Sequence, residues 1–420
     1  MSLLRSIAFR LRKYPKTKRM LKNIYQKTGY LFSDKKTEPK TIRCISSDNK
    51  EHMFGYYDKS PWDASGTKMI YMQVNGADKF AASSEPANII LKDLTKNKEK
   101  IIAQTRSWNV QQGCMLQWLG PDFKNQIIYN DFQNGNYCSI IHNIATRERR
   151  VLPMPVYSVS SDGRTALTLD FARLNTFRPG YGYCNLVNSS AKDKCADATC
   201  IWHIDIDKGD IKPLFTYKSL FNFQTRPDMK GAFHKVNHIM VNPSGDRFMF
   251  LHRWILGGVK YDRLITADMD GGNPYILLDE DMVSHCNWKN DKMVITWART
   301  HEDGNHYYIL KDKTTEKKVL VCDKLVVDGH PSYSPDCKYI ITDTYPSFKR
   351  KQSLFLIEVD SLKTVKIAEV YANPKYKNEN RCDLHPRWKR DSSEICFDGA
   401  QGKYRQVYSL KLEDVIEKND

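Results

Sequence analysis

Residues 238–250 read His-Ile-Met-Val-Asn-Pro-Ser-Gly-Asp-Arg-Phe-Met-Phe, which is a short strand that opens on a histidine, a tight turn and a second apolar strand. Variants of this unit begin again at His285, His330 and His385, at spacings of 47, 45 and 55 residues. Repeats of this length, with short strands and no long helical pattern, are typical of β-propellers. The sequence therefore predicts that each histidine-led unit is one blade.

The same pattern continues upstream in weaker form. Three further units span residues 57–72, 115–129 and 157–169, and the first and last contain the turns Ala64-Ser65-Gly66 and Ser161-Asp162-Gly163. Seven units of about 50 residues account for nearly all of the chain as one domain. We predict an all-β fold, a seven-bladed β-propeller over residues 41–420, preceded by a separate segment of residues 1–40.

The four unit-opening histidines share one register. The innermost strand of every blade lines the central channel, so residues at equivalent positions of different blades meet around one ring. A single histidine at such a position could simply pack against or cap the blade turn. Four at the same register favour a functional site in the channel.

The net charge is concentrated at the N-terminal end. Residues 1–40 hold 12 Lys and Arg and two acidic residues, so they supply +10 of the formal net charge of +16. Apolar residues recur there at helical spacing among basic ones: Leu3, Leu4, Ile7, Ala8, Leu11, Met20, Leu21, Ile24 and Tyr25. The pattern predicts a basic amphipathic helix that lies on an anionic membrane surface through residues 1–36, and a disordered tail is the alternative. Nucleic-acid binding is not expected, because the basic residues do not continue onto the propeller with interleaved aromatics.

The cysteine spacing and the N-terminal sequence indicate in which cellular compartment the protein is found. Eleven cysteines occur without a CxxC pair, and no uninterrupted apolar stretch resembles a secretory signal. We expect a cytoplasmic, peripherally membrane-associated protein. Cys184, Cys195 and Cys200 lie closer together than the others, but their spacing matches no zinc pattern.

The second half of the chain resembles the oligogalacturonate lyases, seven-bladed propellers that cleave uronic-acid oligosaccharides by β-elimination around a divalent metal, usually manganese. The segments that carry the resemblance are Asn237-His238-Ile239, Leu251-His252-Arg253-Trp254, Ser284-His285-Cys286-Asn287-Trp288 and Asn380-Arg381-Cys382-Asp383-Leu384-His385-Pro386. The last overlays the family's metal-binding Gln-x-x-His-x-His-Pro without a gap. The resemblance is clearest from about residue 233 to the end.

The resemblance implies a metal site formed by His285, Asn380, Asp383 and His385. Asn380 keeps the amide of the family's glutamine on a shorter arm, whereas Asp383 replaces a neutral histidine with a charged oxygen ligand. A mixed nitrogen and oxygen set suits Mn²⁺ or another divalent ion. The added negative charge weakens the metal's pull on a substrate carboxylate.

The resemblance also implies catalytic roles. A neutral histidine suits proton abstraction from C5 of a uronic acid, and we assign that base to His238, with His252 assisting or orienting it and Arg253 stabilising charge. The candidates to hold substrate are Arg263, Arg299, Arg387, Arg173 and Tyr57. Arg263 could equally be a structural partner of a carboxylate. His234 and His330 are left in reserve, the latter as a possible blade-turn residue.

The third unit carries the largest insertion, Arg173 to Ala198. Arg173, Arg178, Tyr181 and Tyr183 make it a candidate active-site lid, and a surface ornament is the alternative.

Two other functions compete with an acidic-glycan lyase, which we would place in a bacterial surface-polysaccharide pathway. One is a non-catalytic propeller that binds glycan or protein. The other is a glycan transferase or hydrolase in which two channel carboxylates, for example Asp58 and Asp383, act as acid and base.

Overall fold

The computed structural model describes residues 37–46, 50–82, 84–280, 282–320, 325 and 327–416, together with isolated positions between 14 and 35. Its strands form seven antiparallel four-stranded sheets. The predicted seven-bladed β-propeller is confirmed. His238 and His285 lie within the first strands of blades 4 and 5, and His330 and His385 lie just before the first strands of blades 6 and 7.

The strands follow in chain order from the inner to the outer edge of each blade. Blade 1 has β2 (Glu51–Met53), β3 (Lys68–Val74), β4 (Ala87–Asp93) and β5 (Lys98–Thr105). Blade 2 has β6 (Gln117–Trp118), β7 (Gln126–Gln133), β8 (Asn136–Asn143) and β9 (Arg149–Leu152). Blade 3 has β10 (Ser158–Val159), β11 (Thr165–Leu169), β12 (Thr199–Asp205) and β13 (Ile211–Thr216).

Among the described residues, blades 4 and 5 have the longest innermost strands. Blade 4 has β14 (Phe233–Val241), β15 (Arg247–Leu256), β16 (Val259–Asp268) and β17 (Tyr275–Leu278). Blade 5 has β18 (Met282–Trp288), β19 (Met293–Thr300), β20 (Gly304–Lys311) and β21 (Lys317–Leu320). Blade 6 has β22 (Ser332–Tyr333), β23 (Tyr339–Asp343), β24 (Lys351–Glu358) and β25 (Thr364–Tyr371).

Blade 7 closes the ring with strands from both ends of the propeller. It contains β26 (Arg387–Trp388), β27 (Glu394–Gly399), β28 (Gln406–Lys411) and, at its outer edge, β1 (Arg43–Cys44). Arg43 pairs with Ser409, and Cys44 pairs with Tyr408. Because backbone hydrogen bonds join the first strand to the last hairpin, the channel is held closed without a covalent link.

The core lies between the blades. Successive residues of β15 point to opposite sides of its sheet, and both sides are covered by a neighbouring blade. Phe248 and Phe250 pack toward blade 3, whereas Met249 and Leu251 pack toward blade 5. All four side chains are fully buried, and each contributes roughly 1.5–3 kcal/mol to stability. This explains why the inner strands are continuous apolar runs.

Within the described residues of the propeller, helices lie in the connections between strands. They are Phe171–Phe177, Tyr217–Asn222 and Glu413–Ile416, with 3-10 turns at Pro227–Met229 and Asn378–Asn380. The first begins at Asp170, whose side chain accepts a hydrogen bond from the backbone N–H of Arg173. It opens the insertion of blade 3, which extends to the start of β12.

The predicted amphipathic helix of residues 1–36 lies mostly outside the described residues. The chain joins the propeller at Glu38, which forms a backbone bridge with Glu369 of blade 6. No helix among the described residues is both long enough and apolar enough to cross a membrane. Contact with a membrane surface remains a prediction.

Candidate metal and active site

Four histidines from four consecutive blades converge in the channel. The ring centroids of His238 and His285 lie 5.4 Å apart, those of His285 and His330 4.1 Å, and those of His330 and His385 4.3 Å. All four side chains are buried. The repeat register therefore does bring these distant residues together.

The backbone is irregular where it presents these side chains. His238 has φ 57° and His385 has φ 46°. In β14 the register shifts between Asn237 and Met240, and in β18 a similar shift brackets His285. A bulge of this kind re-aims a side chain, and a non-glycine residue in the left-handed region costs about 1–3 kcal/mol. Such strain is a common property of functional sites.

Three of the rings are fixed through Nδ1. His285 Nδ1 lies 3.1 Å from Asp328 Oδ1, His330 Nδ1 lies 2.8 Å from Asp343 Oδ1, and His385 Nδ1 lies 2.8 Å from the carbonyl oxygen of Gly55. Carboxylate and carbonyl oxygens accept, so Nδ1 carries the proton and Nε2 is left with a lone pair. Metal-binding histidines are typically anchored in this way.

His330, Asp383 and His385 form one group of potential ligands. Their ligand atoms all lie within 4.8 Å of one another, and this is the only such group of His, Cys, Asp or Glu among the described residues. The Nε2 atoms of His330 and His385 are buried and have no hydrogen-bond partner in the described part of the chain. Two unpartnered imidazole nitrogens beside a carboxylate fit a divalent cation.

Asp383 is also held by a neighbouring arginine. Arg381 Nε lies 2.5 Å from Oδ1, and Arg381 Nη2 lies 2.8 Å from Oδ2. The guanidinium stacks over Tyr345 at 4.3 Å. The positive charge of Arg381 offsets the negative charge that Asp383 introduces. Each oxygen of the Asp383 carboxylate retains a further lone pair for a metal.

The electrostatic environment differs across the histidine cluster. Burial lowers the pKa of His330, but Asp343, Asp383 and Asp328 together raise it above its ordinary value. Burial and the Arg253 charge hold the pKa of His238 well below its ordinary value. The cluster therefore attracts positive charge at His330 and keeps His238 neutral.

His238 is hydrogen-bonded to a tyrosine that the sequence analysis missed. The hydroxyl of Tyr56 lies 2.8 Å from His238 Nδ1 and 3.1 Å from Nε2, so it can hydrogen-bond either ring nitrogen. The backbone N–H of His238 donates to the Tyr157 hydroxyl at 3.1 Å. Tyr57, predicted to bind substrate, places its ring against His330, and its hydroxyl donates to the backbone oxygen of Cys286 at 2.8 Å. Tyr56 therefore contacts the predicted base, whereas Tyr57 binds the backbone of blade 5. The sequence Tyr56-Tyr57 alone does not show which of the two tyrosines reaches His238.

The two remaining predicted ligands are Asn380 and His285. Asn380 donates from Nδ2 to the carbonyl oxygen of Asp78 at 3.2 Å, and its Oδ1 is buried without a partner in the described chain. His285 packs against His330 but lies outside the three-residue group. His330, which the sequence analysis held in reserve, lies within it.

Several predicted substrate ligands are bound by the protein itself. Arg173 donates to the carbonyl oxygens of His234, Ser190, Asp193 and Lys194. Arg387 donates to Tyr56 O at 2.9 Å and to Asp398 Oδ1 at 3.0 Å. Both are fully buried, so these arginines support the scaffold around the channel.

His252 and Arg263 belong to a buried network on the blade 3 side of blade 4. Arg263 Nε lies 3.1 Å from His252 Nδ1, and His252 Nε2 lies 2.9 Å from His234 Nδ1. Arg263 also donates to Leu220 O at 2.7 Å. Arg263 Nη1 also lies 3.8 Å from Asp279 Oδ2, which is the kind of carboxylate contact that the structural alternative describes. Both nitrogens of His252 have a hydrogen-bond partner. Arg299 Nε donates to Asn305 Oδ1 at 2.8 Å.

The blade 3 insertion reaches the channel end. Arg178 lies 3.8 Å above the Tyr181 ring. Burial lowers the pKa of His238 and of His285, and the charge of Arg178 adds a smaller effect in the same direction. Gly180 has φ +95°, and a Cβ there would lie 3.3 Å from the Phe80 ring and 3.4 Å from Glu379 O. The insertion therefore packs between the loops of blades 1 and 7.

The structure gives little support to two alternatives. One is a zinc site at Cys184, Cys195 and Cys200, and the other is a glycan hydrolase or transferase that uses Asp58 and Asp383 as acid and base. Cys184 and Cys195 each donate to a backbone carbonyl, of Ala81 and Tyr217 respectively. Asp58 is paired with Lys59 at 2.6 Å and Asp383 with Arg381. Carboxylates that are paired with basic groups are poorly suited to the proton-donor role of a hydrolase.

The fold is shared with solved structures. An oligogalacturonate lyase in complex with manganese aligns with TM-score 0.64 and 15% identity over 90% of this chain and 98% of its own. Oligogalacturonate lyase from Vibrio parahaemolyticus aligns with TM-score 0.64 and 12% identity over 89% and 94%. The chain has an oligogalacturonate lyase-like propeller.

More distant propellers share the architecture as well. The β-propeller domain of the Trilobed protease from Pyrococcus furiosus aligns with TM-score 0.51 and 11% identity over 88% of this chain and all of its own. The sequence matches no protein-family model and no curated protein. At these identities the likeness establishes the fold, and the chemistry has to be argued from the site.

Proposed function

We propose that the protein is a divalent-metal-dependent lyase that cleaves a uronic-acid-containing oligo- or polysaccharide by β-elimination. The observation that carries the proposal is the pair of buried Nε2 atoms of His330 and His385, which lack a partner in the described chain and lie beside Asp383. The fold of a lyase solved with manganese supports the same chemistry.

His330, Asp383 and His385 would hold the metal, with His285 and Asn380 as the neighbouring candidates. When bound, a divalent ion such as Mn²⁺ supplies Lewis acidity that neutralises the uronate carboxylate and favours charge developing on it. Asp328 and Asp343 keep the rings of His285 and His330 oriented, and Gly55 does the same for His385.

His238 would act as the base. Its low pKa keeps the imidazole neutral, so a ring nitrogen can accept the C5 proton of the uronate. The electrons of the C5–H bond then form the C4–C5 double bond as the C4–O bond breaks. Tyr56, hydrogen-bonded to His238 and protonated because burial raises its pKa, would donate a proton to the departing oxygen.

Arg178 would hold the substrate carboxylate over the histidines. Its guanidinium stacks on Tyr181 and lies 3.9 Å from the half-exposed Glu379, so a substrate carboxylate could replace that weak partner. Phe80, 45% exposed beside the insertion, offers an apolar face to a sugar ring. The insertion would limit water in the site.

The proposed site of action is the cytoplasmic face of a membrane, on glycan of a bacterial surface-polysaccharide pathway. The basic segment of residues 1–36 supports this placement, because it concentrates positive charge and apolar residues at one end of the chain.

The proposal is tested with a panel of uronate-containing glycans. Each is incubated with the protein in manganese, in chelator, and in chelator followed by excess manganese. We expect at least one glycan to yield a product that absorbs ultraviolet light through a double bond conjugated to the carboxylate, and only when metal is present. Saturated products would instead indicate hydrolysis, and binding without turnover would indicate a non-catalytic propeller.

A further inference from the structure

Exposed large apolar side chains are spread unevenly over the described residues. Six lie in the N-terminal segment: Tyr14, Met20, Leu21, Ile24, Tyr25 and Leu31. Three lie on loops of the propeller: Phe80, Leu186 and Val187. The other three lie on the outermost strands of blades 1, 2 and 3: Ile101, Val151 and Ile211. Among the first nine residues, the proposed reaction gives a role to Phe80 alone.

The exposed loop residues lie at the end of the propeller where the proposed metal ligands lie. Antiparallel strands alternate in direction, so the connection between the second and third strands of a blade emerges at the same end as the connection to the next blade. Phe80 lies in the β3–β4 connection, and Leu186 and Val187 lie in the β11–β12 connection. His330 and His385 lie in the connections that lead into blades 6 and 7. We call this end of the propeller the channel-mouth face.

The tip of the blade 3 insertion, Leu186-Val187, is held in place with Val187 in solvent. The backbone N–H of Leu186 donates to the Tyr137 hydroxyl at 3.0 Å, and Asn188 Oδ1 accepts from the backbone N–H of Ser190 at 3.0 Å. Asn188 is buried, whereas the Val187 that precedes it is 94% exposed. Apolar residues that a fixed loop presents to solvent mark an interaction surface.

The N-terminal segment contacts the channel-mouth face at blade 6. The ring centroids of Tyr25 and Phe348 lie 4.6 Å apart, and a Cβ on Gly29 would overlap the backbone oxygen of Phe348. Phe348 lies in the β23–β24 connection, between the second and third strands of its blade. The close approach requires a glycine at position 29. It joins the apolar N-terminal residues to the same face that carries the insertion tip.

The charge of these elements favours an anionic surface. Residues 1–40 supply +10 of the formal net charge of +16. Lys192 and Lys194 are exposed in the insertion, on either side of Asp193, and Lys349 is exposed next to Phe348. Apolar side chains accompanied by basic ones are typical of surfaces that insert shallowly into a bilayer with anionic lipids. Charge and apolar exposure together favour a lipid surface over a neutral protein partner.

We propose that the channel-mouth face docks on an anionic lipid bilayer through two contacts, the N-terminal segment at blade 6 and the insertion tip Leu186-Val187 at blade 3. The segment supplies most of the affinity, and the tip sets the orientation. The channel then opens toward the bilayer, so the substrate is a glycan that a lipid holds at the membrane surface. This last step rests on the proposed function, whereas the docking does not.

The orientation is tested with tryptophans introduced in the full-length protein. Val187→Trp is compared with Val151→Trp, whose valine is 53% exposed on the outer strand of blade 2. Vesicles contain phosphatidylglycerol and brominated phosphatidylcholine, which quenches tryptophan within the bilayer, and the fluorescence of the unsubstituted protein is subtracted. We expect quenching of the added tryptophan in Val187→Trp and none in Val151→Trp. Equal quenching of both, no quenching in Val187→Trp, or a protein that does not sediment with the vesicles would overturn the docking.

The substrate is tested with the glycan that the panel identifies, either free or attached to a phospholipid in phosphatidylglycerol vesicles. The double variant Leu186→Ser, Val187→Ser is compared with Ile101→Ser, Val151→Ser, which changes two exposed apolar residues on outer strands. We expect the first variant to slow elimination of the vesicle-bound glycan about fivefold and to leave the free glycan unaffected. Equal rates for both variants on the vesicle-bound glycan would contradict a lipid-held substrate. Quenching in Val187→Trp without an elimination product from any glycan would reject the proposed lyase and retain the docking.

Discussion

His330 and Asp343 are joined twice: Asp343 Oδ1 accepts from His330 Nδ1 and from the His330 backbone N–H, both at 2.8 Å. The other oxygen, Oδ2, accepts from the backbone N–H of His385 at 3.1 Å. One buried carboxylate of blade 6 therefore orients a proposed metal ligand from its own blade and positions the backbone of a second from blade 7. The geometry of the proposed metal site depends on this aspartate although it is not itself in the ligand group.

Asp343→Asn should weaken manganese binding about 10–100-fold. The amide is the same shape but has only one accepting atom, so it cannot satisfy both histidines as the carboxylate does. Isothermal titration calorimetry measures the affinity, with Asp131→Asn in blade 2 as the control. Equal affinity of Asp343→Asn and the unsubstituted protein would contradict this role.

His330→Ala should abolish metal binding because it removes one of the two unpartnered Nε2 atoms. Elemental analysis after dialysis gives the metal content. Manganese at 100 times its Kd should stabilise the unsubstituted protein by about 2.7 kcal/mol and leave His330→Ala unchanged. His142→Ala removes a buried histidine of blade 2 and should retain both metal and stabilisation. A metal-loaded His330→Ala protein would exclude this residue as a ligand.

Asp383→Ala should destabilise the fold even without metal. It leaves the Arg381 guanidinium, only 17% exposed, without its bidentate partner, and loss of one member of a buried ion pair costs about 3 kcal/mol. The double variant Arg381→Met, Asp383→Leu should recover much of this loss. Chemical denaturation compares the three proteins. A loss below about 1 kcal/mol would mean that the pair behaves as a surface ion pair.

Two truncations separate membrane association from folding. Removal of residues 1–36 should abolish sedimentation with anionic vesicles and leave the melting temperature unchanged, because β1 and the Glu38 bridge remain. Removal of residues 1–46 also deletes β1 and should lower the melting temperature by exposing the edge of β28. Neutral-lipid vesicles are the control. Equal vesicle binding by the full-length protein and the shorter truncation would reject the membrane role of the segment.

The fold could be predicted from the sequence because the blades repeat the same local pattern of strand, turn and strand. A turn such as Asn242-Pro243-Ser244-Gly245 between apolar strands is visible in the sequence, and its recurrence gives the number of blades. The closing strand Arg43–Cys44 could not be predicted, because two exposed residues carry no strand pattern of their own.

The sequence predicts that the four histidines converge around the channel, but it does not predict where each of their side chains points. The shared register of the histidines gives their convergence, but the bulges at His238 and His285 change where individual side chains point. Arg173 and Arg387 look like substrate ligands in sequence, yet backbone carbonyls take up much of their donor capacity. Carbonyl positions depend on the folded loops, so residue type alone cannot separate such arginines from Arg178.

The most direct test of the proposed lyase compares the metal-loaded protein with His238→Asn on the glycan that the panel identifies. Asparagine tolerates the positive φ of this position, so the variant should keep its fold and metal while it loses the base. Ultraviolet absorbance follows formation of the conjugated double bond. We predict a continuous rise with the unsubstituted protein and none with His238→Asn at equal manganese content. A rise at the same rate with both proteins, or cleavage without any rise, would contradict the assignment.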